Sequence, residues 1–415
     1  MPNQKAMLAE ALEVLLRFGT VMLRAGDTAF RVRDSMSTLA TSMGIESLSL
    51  HITLNGMTAT VRRGGEHVTL ASEVAPLGIN AWRIGALERL ARSSAPGLAP
   101  KTLAADLDAI EAAPPINSLI TVAAAIGLAS GAFSYLNGGD MLGTAAAIAA
   151  GGLGQAARML LFRRRLNQYA VTTLCAILAS GFYCLVVAGI FSQGFGPSHA
   201  VGFISSVLFL VPGFPLVASL LDLLQHQTVA GVARLFYGTL ILLAASFGLS
   251  LVAAAAGLAS APAASAPHGV ELVSVLWRAG ASFVGGCGFA ILYNSSARTV
   301  LAVGILALLG NDLRLVLHDL GMTLPSATFF GTLAVGLLAS LVRVRLHEPR
   351  IALTVPGIII MTPGIYAFQT IVMLNQGDVL AAIQAGAMCC FIVGAMAIGL
   401  AAARFISERR WIVER

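Results

Sequence analysis

Hydrophobic positions fall into two patterns that divide the chain near residue 115. In the first part, Leu8, Leu12, Leu15, Leu16, Met22 and Leu23 recur at helical spacing, as do Val32, Met36, Leu39, Ala40 and Met43. Gly26-Asp27-Thr28 between them supplies a break and a cap. The period then becomes two. Leu48, Leu50, Ile52 and Leu54 alternate with polar neighbours, Asn55-Gly56 turns the chain, and Met57, Ala59 and Val61 alternate on the way back. Arg63-Gly64-Gly65-Glu66 makes a second turn into His67–Leu70, and helical patterns return around 79–93 and 101–112. This predicts a small α+β domain that ends at Pro114-Pro115.

From Ile116 onward, apolar stretches of about 20 residues repeat, the length that crosses the hydrocarbon of a bilayer. Ten spans are predicted near 117–137, 141–161, 169–191, 199–222, 229–257, 272–293, 298–317, 322–342, 351–374 and 379–403. Alternate connections carry the basic residues: Arg163-Arg164-Arg165, Arg234, Arg298, then Arg343, Arg345 and Arg350, and finally Arg404, Arg409, Arg410 and Arg415. The intervening connections carry none, so the positive-inside rule predicts both termini in the cytoplasm. The second five spans echo the first. Leu210-Val211-Pro212-Gly213 matches Met361-Thr362-Pro363-Gly364, and Leu153-Gly154-Gln155 with Arg158 matches Leu309-Gly310-Asn311 with Arg314. Five is odd, so two such repeats must lie in opposite orientations. The expected architecture is an all-α polytopic membrane bundle of ten transmembrane helices, as two inverted five-helix repeats, preceded by a small cytoplasmic α+β domain. Its expected boundaries are 1–115 for that domain, 116–258 and 271–405 for the repeats, 259–270 for an extracytoplasmic linker and 406–415 for a cytoplasmic tail.

Composition agrees with a membrane protein. Of 415 residues only 11 % are charged, against about 25 % in soluble domains. The first 116 residues hold 11 basic and 11 acidic side chains, so the whole net charge of +6 lies on the apolar remainder. A basic excess placed there is a topology signal and does not point to nucleic acid. Residues 1–20 lack the unbroken apolar core of a signal peptide, so the leading domain is expected to stay on the side of synthesis. Cys175, Cys184, Cys287, Cys389 and Cys390 all lie in apolar segments without metal-ligand spacing, and neither metal nor cofactor is expected. No Gly-x-x-x-x-Gly-Lys-Ser/Thr loop is present for direct ATP drive. No Gly-x-Ser-x-Gly turn surrounds Ser35, Ser47, Ser49, His51 or His67, which argues against a hydrolase.

Candidate transport residues follow from what a bilayer tolerates. Pro212, Gly213 and Pro215 interrupt one span, and Pro356, Gly357, Pro363 and Gly364 interrupt its counterpart. A broken helix exposes N–H groups that can hold a carboxylate, so these residues are candidates for substrate binding. Arg158 and Arg314, one in each repeat, could pair with a substrate carboxylate, whereas Asp222 and Asp312 could take up and release a proton. Gln369, Gln384 and Tyr366 fit better as glue between helices.

These landmarks resemble the threonine/serine exporter family over nearly the whole length, in the fused form of a system that some bacteria divide between two polypeptides reported to export succinate. The residues that carry the resemblance are Leu23–Thr28 with Arg31-Val32, Phe133–Asp140, and Leu153-Gly154 through Arg158 with Arg163–Arg165 and Asn167. Val211-Pro212-Gly213-Phe214-Pro215-Leu216 followed by Asp222 is the most specific, with Val355-Pro356-Gly357 and Thr362-Pro363-Gly364 as its counterpart. Ala218 and Leu221 stand where the family often carries an asparagine and a basic residue, and Arg33 where an acidic residue is common. The resemblance implies efflux of small hydrophilic metabolites, threonine or serine first, coupled to the proton motive force across the bacterial inner membrane. Its partners would be the small-molecule substrate, protons and the lipid bilayer, with self-association into a homo-oligomer left open. Dicarboxylate export is the alternative within transport; a membrane-anchored hydrolase or a ligand sensor is the alternative outside it.

Overall fold

The computed structural model describes residues 2–74, 78–164, 166–190, 197–258 and 271–408. The predicted linker at 259–270, Arg165 and the end of the tail from residue 409 lie outside them. The leading domain runs α1 (Pro2–Arg24), α2 (Ala29–Ser42), β1 (Ser47–Ile52), β2 (Gly56–Arg63), β3 (Glu66–Glu73), α3 (Ala81–Ser93) and α4 (Pro100–Ala112). The sheet is antiparallel in the order β1-β2-β3. Gly64 and Gly65 turn β2 into β3 with φ of +59° and +82°, the left-handed pair that a two-residue hairpin turn requires. Leu50, Ile52, Met57, Ala59 and Val61 point inward against Leu12, Leu15 and Met36, as the period-two pattern predicts. His51 faces outward.

Among the described residues, eight helices are long and apolar enough to cross a membrane. They are α5 (Leu119–Leu136), α6 (Met141–Phe162), α7 (Gln168–Ile190), α10 (Thr228–Ala255), α11 (Leu272–Leu292), α12 (Ala297–Asp319), α13 (Leu324–Leu346) and α16 (Val379–Ser407). Two further spans are bent pairs. Residues His199–Leu210 meet α9 (Gly213–Leu224) at 61°, and residues Arg350–Met361 meet α15 (Gly364–Asn375) at 49°. The approaching limbs are α8 (Pro197–Ser205) and α14 (Arg350–Ile358), each continued by a 3₁₀ turn, Leu208–Leu210 and Ile359–Met361. This is a multi-pass membrane protein, with eight to ten candidate spans among the described residues.

Packing repeats between the halves. α5 lies on α6 and α11 on α12, α7 on α10 and α13 on α16, and the short limbs α9 and α15 each pack against both long helices α10 and α16. α5 and α11 join the halves at the centre, where a Cβ on Gly288 would lie 2.6 Å from the Ala125 carbonyl oxygen, so only glycine permits this approach.

The leading domain is seated on the ends of the helices whose connections carry arginine. The Ala81 N–H donates to the Tyr293 carbonyl at 2.8 Å, Asn294 Nδ2 donates to Asn80 Oδ1 at 3.2 Å, and the Arg404 guanidinium lies 5.3 Å from the centre of the Phe30 ring. Ala25, Phe30, Ala81 and Ile84 belong to the same buried cluster as the membrane helices.

Candidate functional site

Each bend is made by a proline. Proline pushes the residue before it out of the helical region, and Val211 (φ −65°, ψ 120°) and Thr362 (φ −63°, ψ 139°) are extended. Pro212 and Pro363 then adopt φ −80°, ψ 52° and φ −81°, ψ 52°. The Gly213 N–H reaches back to the Val211 carbonyl at 2.8 Å, and the Gly364 N–H to that of Thr362 at 2.9 Å. Both are inverse γ-turns. New helices start immediately, with Leu216 N–H bonding Pro212 O at 3.1 Å and Ala367 N–H bonding Pro363 O at 3.0 Å. The first-turn amides of α9 and α15 have no carbonyl of their own helix to bond and carry the positive end of its dipole.

The two bends face each other. A Cβ on Gly213 would lie 3.0 Å from Thr362 Cγ2, and one on Gly364 would lie 3.7 Å from Val211 Cγ2. Between them is a small cavity lined by Val211, Gly213, Thr362, Pro363, Gly364 and Met396, among others. A neighbouring cavity shares Val211 and Gly364 and is lined by Phe133 and Ser246. The walls are almost wholly apolar, so backbone groups at the bends are the main polar features there.

Other predicted residues lie elsewhere. Pro215 sits in the first turn of α9, and its ring lies toward Gly238 of α10. Pro356 and Gly357 do not interrupt a span; they lie inside α14, where Gly357 packs near Leu306 and Val335. Pro356 forgoes the bond to the Ala352 carbonyl, yet the chain runs on through Gly357 and Ile358 into the 3₁₀ turn at Ile359–Met361, so this pair reads as a break in sequence while the bend itself comes at Pro363. Arg158 Nη1 donates to the Phe209 carbonyl at 3.0 Å, three residues before Pro212, with its guanidinium 5.3 Å from the Phe162 ring centre. It therefore holds the chain that leads into the first bend. Arg314 is turned instead toward α13 and its own helix, donating from Nε to Thr328 Oγ1 (3.1 Å) and from Nη1 to Asn311 Oδ1 (3.0 Å).

Asp222 is fully buried, far along α9 from the bend, at the seam with the leading domain. Arg234 Nη1 lies 3.2 Å from Asp222 Oδ2, and Arg234 Nη2 donates to the Asp27 carbonyl at 2.8 Å. Asp222 Oδ1 accepts from the Phe30 N–H at 3.4 Å. Thr28, the N-cap residue of α2, makes no side-chain cap bond, so a membrane helix supplies the carboxylate that the start of α2 lacks. Asp27 turns to Arg31 at 2.7 Å, and Arg31 to Glu88 at 2.7 Å. Burial alone would raise the Glu88 pKa, but Arg31, then Arg92 and Arg343, outweigh it and hold the carboxyl below its ordinary value.

Asp312 is half-buried on α12, with Oδ1 enclosed and unpartnered, within electrostatic reach of Arg278 and Asp319. Arg278 of α11 pairs with Asp319 at 2.7 Å. Sequence reading passed over Arg278 and treated Arg234 only as a loop charge. Both could have been found as lone charges in apolar runs that have an opposite charge across the adjoining hairpin.

A model described as "Putative threonine/serine exporter" matches residues 13–256, and a second, "Threonine/Serine exporter, ThrE", matches residues 279–406. A "Probable threonine/serine exporter" of Mycobacterium tuberculosis is 24 % identical over 389 residues, covering 89 % of this chain and 71 % of that one. The "Probable succinate transporter subunit YjjP" of Escherichia coli is 25 % identical over 246 residues, covering 59 % of this chain and 93 % of that one. An uncharacterized protein of Haemophilus influenzae is 34 % identical over 123 residues, 28 % of this chain and 41 % of that one. No solved structure matches. The chain belongs to the threonine/serine exporter family, whose members are transporters and not enzymes.

Proposed function

We propose that this family member is a secondary transporter that exports threonine- or serine-like amino acids across the bacterial inner membrane against proton entry. The observation that carries the reading is the pair of proline bends, alike in backbone to within a degree at the proline and facing each other across one cavity. Discontinuous helices at matching positions of two repeats are where transporters of inverted-repeat design bind cargo. The repeated packing of the two five-span sets supports that design. Pro212-Gly213 and Pro363-Gly364 would turn the first-turn amides that follow them, those of Phe214 and Ile365 among them, toward the cargo.

With the arginine-bearing connections inside, the leading domain and both termini are cytoplasmic. Asp312, with an enclosed and unpartnered oxygen, suits proton exchange better than Asp222, which Arg234 and the start of α2 already hold. Similarity to a succinate transporter subunit supports a second reading, dicarboxylate export.

The test is efflux from cells preloaded with labelled threonine or labelled succinate, with and without the chain, before and after collapse of the proton gradient. Threonine efflux that needs the gradient is expected. Succinate efflux alone would select the second reading, and threonine efflux that survives collapse would remove proton coupling.

A further inference from the structure

Beside the first bend lies a set of buried polar atoms with no partner. Ser130 Oγ on α5, Gln155 Oε1 on α6 and Arg158 Nε on α6 make no hydrogen bond. Ser130 and Gln155 are 0 % and 3 % exposed. Gly151, Gln155 and Arg158 follow one another at i, i+4 and i+7, so they share one face of α6. A Cβ on Gly151 would collide with Ser130 Oγ and would lie 3.6 Å from the Ser206 carbonyl oxygen, which places Ser130 over that face next to the chain entering the bend. Arg158 adds the bond to the Phe209 carbonyl, leaving its Nε edge unused. Phe133, one turn along α5 from Ser130, lines a cavity at the bends.

The second half shows what a purely structural version looks like. Asn311, at the position matching Gln155, donates from Nδ2 to Ser282 Oγ at 2.8 Å and accepts from Arg314 at 3.0 Å, while Arg314 Nε is taken by Thr328. One half satisfies its amide and guanidinium internally; the other leaves them open. A buried polar group without a partner costs about 1–3 kcal/mol, and in native proteins such groups usually mark water or a ligand.

We propose that Ser130, Gln155 and Arg158 form a polar subsite for the cargo, present once per chain and in the first half only. It takes a small hydroxylated amino acid: the carboxylate on the Nε edge of Arg158, the ammonium and hydroxyl donating to Gln155 Oε1 and Ser130 Oγ. One guanidinium answers one carboxylate. A dicarboxylate would set its second carboxylate among oxygen acceptors. The assignment rests on the export reading and adds to it the residues that choose the cargo.

The experiment uses the full chain, purified and reconstituted, with threonine and succinate as probes of thermal stabilisation in detergent and of uptake into proteoliposomes. Ser130→Ala and Gln155→Leu break no hydrogen bond of the empty protein and remove an unpartnered polar group, so the Tm without ligand should equal or exceed that of the unmodified chain. Asn311→Leu, which strips Ser282 and Arg314 of a partner, should lower it. In both first-half variants the stabilisation by threonine should shrink and the KM for threonine should rise about tenfold, equivalent to ~1.4 kcal/mol, with a smaller change in Vmax. The proposal is overturned if Ser130→Ala and Gln155→Leu lower the ligand-free Tm as Asn311→Leu does. It is also overturned if the KM is unchanged, which would mean the site holds water only, or if succinate and not threonine stabilises the unmodified chain. An unmodified chain that transports neither probe defeats the export reading as well; normal transport with unaffected variants defeats the subsite alone.

Discussion

The two membrane halves share a backbone and differ in chemistry. At Pro212 and Pro363 the same inverse γ-turn starts α9 and α15. Around those turns the arginines part company, Arg158 holding the approach to its own bend and Arg314 tied to α13. α9 ends on the buried Asp222, whereas α15 has Met373 at the matching place, 151 positions on as Pro363 is from Pro212. Two halves can thus share the same turn while only one of them takes on the contact with the leading domain. The halves resemble each other where backbone geometry is needed and diverge where polar partners are chosen.

Removing Asp222 should break this comparison most strongly. Asp222→Ala leaves Arg234 buried with no opposing charge, and breaking a buried pair costs about 3–5 kcal/mol. A clear fall in Tm of the detergent-solubilised protein is expected, with Asp222→Ala and Arg234→Leu together falling less than Asp222→Ala alone. Met373→Ala, in the other half, should cost far less. The bends sharpen the comparison in the opposite direction, because there the halves should behave alike. Pro212→Ala and Pro363→Ala together should abolish efflux while membrane insertion, read by fractionation, is kept; each alone should impair efflux to a similar degree. Unequal single effects would show that one bend carries the transport step.

The smallest effect concerns pH and the leading domain. The Glu88 carboxyl, held down by Arg31, Arg92 and Arg343, has a folded pKa below its value in the unfolded chain. Its contribution is therefore complete above the unfolded pKa, near 4.5, and is lost as pH falls through the folded value. Thermal unfolding should be flat with respect to this group above about pH 5 and should weaken below it, and Glu88→Gln should remove that acid sensitivity.

Much of this was legible along the chain. The span positions, the two hairpin turns at Asn55-Gly56 and Gly64-Gly65, and the bends at Pro212 and Pro363 are local, set by periodicity and by the residues that break it. Pro356-Gly357 carried the same local signal and misled, because α14 is buried along its whole length and its packing carries the helix through a proline that forgoes one hydrogen bond. The seam was not legible. Asp222 reads as a membrane carboxylate awaiting a proton, yet its partners are an arginine on the next helix and an amide 192 positions away. Thr28 reads as a sufficient cap, but its side chain makes no cap bond. Nor does sequence distinguish Gln155 from Asn311, since only packing decides which amide meets a serine.

The carboxylate over the start of α2 also sets an order of events during synthesis. Phe30 leaves the ribosome 192 residues before Asp222. At about 5–20 residues per second, the start of α2 waits some ten to forty seconds for the group that completes it. Until then the start of α2, and the apolar faces of Phe30 and Ile84 that belong under the membrane helices, stand uncovered at the surface of a nascent chain. A domain finished by a helix that is inserted later depends on its own membrane half, or on a chaperone, until that helix arrives.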